Sequence, residues 1–265
     1  MNFSEFDSSL ITVLLCVMIL AVFACFGSFA NVLIYRLPRN KSIVAPRSFC
    51  PACKQQIFWY DNVPVMSWLL LRGKCRQCSS KIPIRYFLVE WLGIICAAVA
   101  FYRFGFSLPG LTCALFLLWV AIVAIIDWEH MIIPHTLTVS GMVTGLILSM
   151  FNGVGLYSAL LGLGVGAGCV LALSYAYRLV RGTIGMGGGD VMLMGMIGAF
   201  VGPWSTVVVL FGGALFGSLF ALVHGRGKLG GSSKLPFGTF LALSAIVVFL
   251  AGEAISHWYL EILTG

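Results

Sequence analysis

Two groups of residues in this chain have the types and spacing to do chemistry. The first is a pair of aspartates beside long apolar runs: Asp127 closes the run 117–126, and Asp190 follows Gly185-Met186-Gly187-Gly188-Gly189 and opens another. An ionised carboxylate in an apolar helix is costly, so each such acid is a functional candidate. Two of them sharing one proton let one act as a base on a water while the other polarises a carbonyl. The second group is four cysteines, Cys50-Pro-Ala-Cys53 and Cys75-Arg-Gln-Cys78, with 21 residues between the pairs. Thiolates at i and i+3 of a turn converge on one tetrahedral ion. Two such turns close its shell and leave no position for a catalytic water, as in a structural Zn2+ site.

These groups sit in a chain that is 60% hydrophobic and only 9% charged over 265 residues, with a mean hydropathy of +1.02. So few charges cannot cover a soluble surface. Apolar stretches near the roughly 20 residues that cross a bilayer recur along the whole length. The expected fold is all-α, a polytopic membrane bundle with a small zinc-binding loop domain between the first two spans. Spans are expected at 10–35, 86–103, 111–127, 136–152, 156–177, 190–202, 205–223 and 237–255. The first lacks the basic flank of a signal peptide and reads as a retained span. The expected domains are a first span at 1–35, a four-cysteine loop at 36–86 and a transmembrane core at 87–265.

Charge orients the bundle. Ten of the sixteen Lys and Arg lie between Arg36 and Arg85, with Asp61 the one acid among them. The positive-inside rule places that loop in the cytoplasm and accounts for the basic charge without a nucleic-acid partner. Counting crossings then puts 128–135, 178–189 and 224–236 on the same side, with Arg178, Arg181, Arg226, Lys228 and Lys234, and leaves Arg103 as the exception. Asp127 ends the third span and Asp190 begins the sixth, so both acids finish at the cytoplasmic edge. The glycines before Asp190 would let an extended substrate backbone lie close, which makes Gly187 and Gly189 candidate substrate-binding residues. Two plainer roles remain open: Asp190 as the N-cap of its helix, and Asp127 paired with Arg178 or Arg181.

The other membrane acids are Glu90, Glu129 and Glu253. Cys16, Cys25, Cys96, Cys113 and Cys169 stand singly in apolar runs, where cysteine packs as a small hydrophobe. Disulfides are disfavoured in a reducing cytoplasm, and no strand-helix pattern supports a redox CxxC. Gly162, Gly164, Gly166 and Gly168 are expected to give the fifth span a smooth packing face.

Gly187-Gly188-Gly189-Asp190 resembles the GxGD signature of intramembrane aspartic proteases. Further stretches narrow the resemblance to the type IV prepilin peptidase family. They are the segment from Gly27-Ser28-Phe29-Ala30-Asn31 to Arg36-Leu37-Pro38, the paired CxxC loop, the segment 127–134, and Leu235-Pro236-Phe237-Gly238. The resemblance covers the chain from end to end, in order. It implies an aspartic endopeptidase with catalytic Asp127 and Asp190, which removes the basic leader from type IV prepilins or type II secretion pseudopilins. The implied place is the cytoplasmic face of the bacterial inner membrane, with the lipid bilayer as surroundings. Many members also N-methylate the new N-terminus with S-adenosylmethionine. No residue is assigned to that cofactor, since no glycine-rich nucleotide loop follows a strand; Glu90 is the acid to inspect, against a salt bridge to Arg85. Two positions depart from the family pattern: Met192 stands where lysine is usual, and His135 where aspartate or asparagine is usual. They motivate the alternative of an impaired homologue acting as a membrane scaffold with a zinc-bound docking loop.

Overall fold

The computed structural model describes residues 3–151, 153–182, 186–224 and 235–264. Arg226, Lys228 and Lys234 of the expected last cytoplasmic loop, Gly185, and the side chain of Glu253 lie outside the described residues. Helices run α1 (Phe3–Arg36), α2 (Met66–Leu70), α3 (Ile84–Phe104), α4 (Leu108–His130), α5 (His135–Ser149), α6 (Leu156–Arg181), α7 (Gly188–His224) and α8 (Phe237–Thr264). Among the described residues the only β-structure is two isolated bridges. The chain is therefore the all-helical protein expected. Among the described residues five helical stretches are long and apolar enough to cross a membrane: Leu10–Arg39, Ile84–Phe104, Leu108–His130, Leu156–Arg181 and Gly188–Val223, with His135–Ser149 and Phe237–Gly252 as shorter apolar helices. Each of the eight expected apolar segments is found as a helix or as one leg of a helix.

The chain divides into two compact units, Met1–Leu118 and Trp119–Gly265. In the first, α1 and α3 cross where neither carries a side chain: a Cβ on Gly27 would fall 2.8 Å from the Glu90 Cα, and the backbone of Gly93 abuts that of Phe23 and Gly27. Asn31 Nδ2 donates to the Tyr86 carbonyl at 3.0 Å just beyond the crossing. Arg36, buried at the end of α1, donates to the carbonyls of Ser42 at 2.9 Å and Pro46 at 2.6 Å, which folds the start of the loop back onto the helix. From α3, Glu90 Oε2 accepts the Val65 N–H at 2.7 Å. Val65 has φ 65°, a conformation that a β-branched residue rarely adopts. Glu90 thus holds the second half of the loop on the helix pair.

The second unit is organised by the break in α7. Gly202 has φ 76° and ψ 175°, and Pro203 follows it. The sequence reads as a stop between two helices, and the packing shows that the chain reverses there. A Cβ on Gly166 of α6 would meet the Met194 carbonyl group and, at 3.0 Å, the methyl of Thr206. In an unbroken helix those two residues would stand about 18 Å apart, so α7 is a hairpin of two legs, 188–201 and 203–224. Thr206 Oγ1 donates to the Gly202 carbonyl at 2.6 Å, within the first turn of the second leg.

The first leg runs antiparallel to α6, with Gly162 against Gly198 and Gly166 against Met194, and alongside α5, with Gly141 against Met196 and Gly145 against Phe200. The second leg runs antiparallel to α8, with Gly213 against Leu241 and Gly217 against Phe240. This arrangement brings the start of α7 and the start of α8 to the same end of the unit. Trp119 Nε1 donates to the Leu137 carbonyl at 2.9 Å and ties α4 to α5.

The glycine stripe on α6 differs from the expectation. Gly162 and Gly166 pack against helix backbone, whereas Gly164 and Gly168 have nothing within 4 Å of a Cβ. Residues four apart share a helix face and residues two apart do not, so only one of the two interleaved pairs meets the first leg. Gly162→Ala is expected to lower stability by about 2 kcal/mol or more, because its methyl would collide with unyielding backbone. Gly164→Ala is expected to be neutral or slightly stabilising. Thermal melts of the two variants in detergent check the difference.

Candidate active site

Asp127 lies in the last turn of α4 and is buried, 5% exposed. Its Oδ2 accepts the Thr239 N–H at 2.8 Å and lies 3.2 Å from the Thr239 hydroxyl. Thr239 is in the first turn of α8, where backbone N–H groups lack helical partners and the helix dipole favours negative charge. Leu235-Pro236-Phe237-Gly238 supplies this geometry. Pro236 stands directly before the helix, and Gly238 lets the carboxylate in, since a Cβ there would sit 3.0 Å from Asp127 Oδ2.

Asp190 lies in the first turn of α7 and is half-buried. Its Oδ2 accepts the Gly187 N–H at 3.1 Å, while its own N–H donates to the Gly187 carbonyl, also at 3.1 Å. The glycine run and the acid thus close a tight turn on each other. Ser174 Oγ of α6 donates to the Met186 carbonyl at 3.3 Å and anchors that turn. The motifs bearing the two carboxylates meet at Ile133, which lies against Gly189 beside Asp190 and against Gly238 beside the Asp127 carboxylate. Asp190 is the third residue of α7 and so is not its N-cap; it reaches back to the N–H of Gly187, the residue that precedes the helix, which leaves it free for a role in chemistry.

The segment between α4 and α5 reaches the same place. Met131 takes φ 52° and donates its N–H to the Asp127 carbonyl at 2.8 Å, and this left-handed step turns the chain back. Ile133 then points inward, 8% exposed, before Pro134 caps α5. Of the expected site residues, the fold brings Asp127, Asp190, Gly187 and Gly189 to one end of the second unit. His135, where the pattern departs, is exposed at the start of α5, and Met192 is half-buried one turn into α7. Thr239 and Ile133 were not anticipated. Thr239 could have been found from its place in the first turn after Leu235-Pro236-Phe237-Gly238, whereas nothing in a lone isoleucine distinguishes it from core.

In the first unit the four cysteines come together as the spacing demands. Their sulfurs all lie within 4.8 Å of one another, with Cys50 Sγ 3.7 Å from Cys78 Sγ. Four sulfurs at about 2.3 Å from a tetrahedral zinc would stand about 3.8 Å apart. The two turns are built alike. The bridge between Phe49 and Gln56 closes the first and that between Lys74 and Lys81 closes the second. Lys54 and Ser79, each four residues past the first cysteine of its pair, are both left-handed. Asp61 and Arg76 pair through three hydrogen bonds of 2.7, 2.8 and 3.1 Å and tie the intervening segment to the second turn.

The thiols influence one another. The Cys53 N–H and the Ser80 hydroxyl hold the Cys50 thiol down to about 6. At Cys53 the Gln55 backbone favours the thiolate, but burial and the neighbouring sulfurs push it up to about 11. Four thiolates so close repel, and a divalent cation relieves that repulsion.

A model of the bacterial peptidase A24 N-terminal domain matches residues 21–104, and one of the type IV leader peptidase family matches residues 114–222. The chain is 31% identical over 262 residues to a prepilin leader peptidase/N-methyltransferase of Dichelobacter nodosus, a match that covers 88% of this chain and 90% of that one. This chain belongs to the type IV leader peptidase family. It is 33% identical to the prepilin leader peptidase/N-methyltransferase of Neisseria gonorrhoeae over 88% of this chain and 91% of that one. Against the Myxococcus xanthus protein of that name it is 38% identical, over 76% of this chain and 62% of that one. No solved structure matches it. The first family match lies in the unit holding the four cysteines, and the second takes in both aspartates.

Purified protein is expected to carry about one equivalent of zinc by elemental analysis. Cys50→Ser is expected to lower the metal content and the melting temperature together, as removing a ligand from a closed structural site does.

Proposed function

We propose that this protein is a membrane aspartic endopeptidase that removes the basic leader from type IV prepilins or type II secretion pseudopilins at the cytoplasmic face of the bacterial inner membrane. The observation that carries the reading is the convergence of Asp127 and Asp190. Each is held by a helix N-terminus, at one end of one unit, in a chain of the leader peptidase family.

Asp127 and Asp190 act together on one water and one peptide carbonyl. The ionised carboxylate takes a proton from the water as it attacks, and the protonated one donates a hydrogen bond to the carbonyl oxygen as negative charge develops there. The pair then returns a proton to the leaving amine. Thr239 suits either state of Asp127, because its hydroxyl lies 3.2 Å from Oδ2 and 3.1 Å from the Ala124 carbonyl. It can donate to an ionised Oδ2, or donate to Ala124 and accept from a protonated Oδ2. The proton shared by the pair therefore belongs to the dyad as a whole. Gly187 and the adjoining Gly189, having no side chains, let an extended substrate backbone lie close to Asp190.

In the first unit, Cys50, Cys53, Cys75 and Cys78 would hold Zn2+ as a closed structural site. The metal's contribution there is to fix the loop 36–86, not to activate water. The N-methyltransferase activity in the relatives' names extends to this chain by family alone, with S-adenosylmethionine supplying the methyl group.

Asp127→Asn and Asp190→Asn are each expected to reduce leader cleavage of a detergent-solubilised prepilin by a thousand-fold or more with the melting temperature retained. Mass spectrometry of the co-expressed precursor reads leader loss and a methyl increment together. Processing at the wild-type rate in either variant would remove the dyad. Thr239→Val, which keeps the volume and removes the hydroxyl, is expected to cut kcat about ten-fold, the loss of one hydrogen bond to a charged group, while Thr239→Ser retains most of the activity.

A further inference from the structure

Ile133 is buried, carries no polar atom, and lies between the two motifs that bear the acids. A Cβ built on Gly189, the neighbour of Asp190, would stand 2.9 Å from Ile133 Cβ, 3.5 Å from its Cγ1 and 3.6 Å from its Cδ1. A Cβ on Gly238, the residue whose backbone abuts the Asp127 carboxylate, would stand 2.7 Å from Ile133 Cδ1 and 3.0 Å from Asp127 Oδ2. A single side chain therefore fills the space in front of both glycines. Its Cβ faces the start of α7 and its Cδ1 the start of α8. The left-handed Met131 delivers it there, and Pro134 fixes the chain immediately after it.

We propose that Ile133 is the positioning residue of the dyad, the spacer that sets the distance between the two carboxylates by holding the starts of α7 and α8 apart. This rests on the reading of Asp127 and Asp190 as the catalytic pair. The physical reason is the stiffness of the parts. Each acid is fixed to its own helix start by a backbone N–H, so neither carboxylate can swing far without losing that hydrogen bond. The separation of the acids is then the separation of the two helix starts. Both starts carry glycine on the facing side, and Ile133 lies against both. Shared-proton catalysis depends steeply on that separation, and a misplacement of about 1 Å can cost on the order of a hundred-fold in rate. A β-branched residue suits a spacer because its χ1 is stiff, and both glycines are required because any side chain there would displace it.

The test uses the full-length protein in detergent with a prepilin substrate, and Ile133→Val and Ile133→Ala as variants. Valine keeps the Cβ contact to Gly189 and loses the Cδ1 contact to Gly238, while alanine keeps only Cβ. The expected result is a graded fall in kcat, about two- to five-fold for valine and ten-fold or more for alanine, with KM within two-fold of wild type. A second readout needs no activity: the rate at which a carbodiimide with a glycine-ester nucleophile modifies Asp127 and Asp190, followed by peptide mass spectrometry. It should rise several-fold in Ile133→Ala as the space between the helix starts opens or shifts. Unchanged kcat, a loss expressed in KM instead, or unchanged labelling would each overturn the proposal. Should alanine fail to fold, valine decides by the same criteria. Should the wild-type protein process no prepilin, the functional reading falls, while labelling still decides whether Ile133 spaces the acids.

Discussion

A carboxylate placed among apolar helices must find hydrogen-bond donors in the protein, because hydrocarbon offers none and an unsatisfied polar group there costs several kcal/mol. This chain meets that demand with backbone N–H groups at the starts of helices. Asp127 takes the Thr239 N–H of α8, and Asp190 takes the Gly187 N–H at the entrance to α7. Much of the second unit's geometry follows from that choice. Two helix starts must arrive at one end, so the helices between them must return the chain to that end.

The break at Gly202-Pro203 makes the return possible within one apolar stretch. Without it, residues 188–223 would form a single long helix and α8 would begin at the far end from α7. The reversal in turn requires the two legs and α6 to pack very closely, and glycine at Gly162, Gly166 and Gly198 allows this where lipid provides no hydrophobic drive for helix association. The small residues are therefore tied to the acids: they permit the close packing that fixes where the helix starts lie, and the helix starts hold the carboxylates.

The sequence made the acids, the cysteines and the break legible for physical reasons. A carboxylate beside an apolar run is too costly to be incidental, two CxxC turns at this spacing suit one tetrahedral ion, and Gly-Pro ends a helix. The glycine stripe was only half legible, since choosing Gly162 and Gly166 over Gly164 and Gly168 needs the helical period and the neighbour that α6 faces. Thr239 and Ile133 were not read at all. A threonine becomes a carboxylate's partner only once α8 is known to start against α4, more than a hundred residues away in sequence. An isoleucine between Ile132 and Pro134 looks like any apolar residue until two glycines from distant motifs are found against it.

The four-cysteine loop obeys a different constraint. Its segments 37–39, 59–62 and 66–70 are single turns, and large apolar residues such as Trp59, at 79% exposed, and Leu70, at 76%, contribute no core. Short turns cannot supply the free energy to order a loop of this length against its conformational entropy. Arg36 on the Ser42 and Pro46 carbonyls fixes the beginning of the loop, and Glu90 on the Val65 N–H fixes its second half. Across the two turns Cys50 Sγ meets Cys78 Sγ at 3.7 Å and the Ser80 hydroxyl at 3.5 Å. The four sulfurs lie within 4.8 Å of one another and could hold one tetrahedral cation, which would cross-link the two turns and supply folding free energy that their few apolar contacts do not.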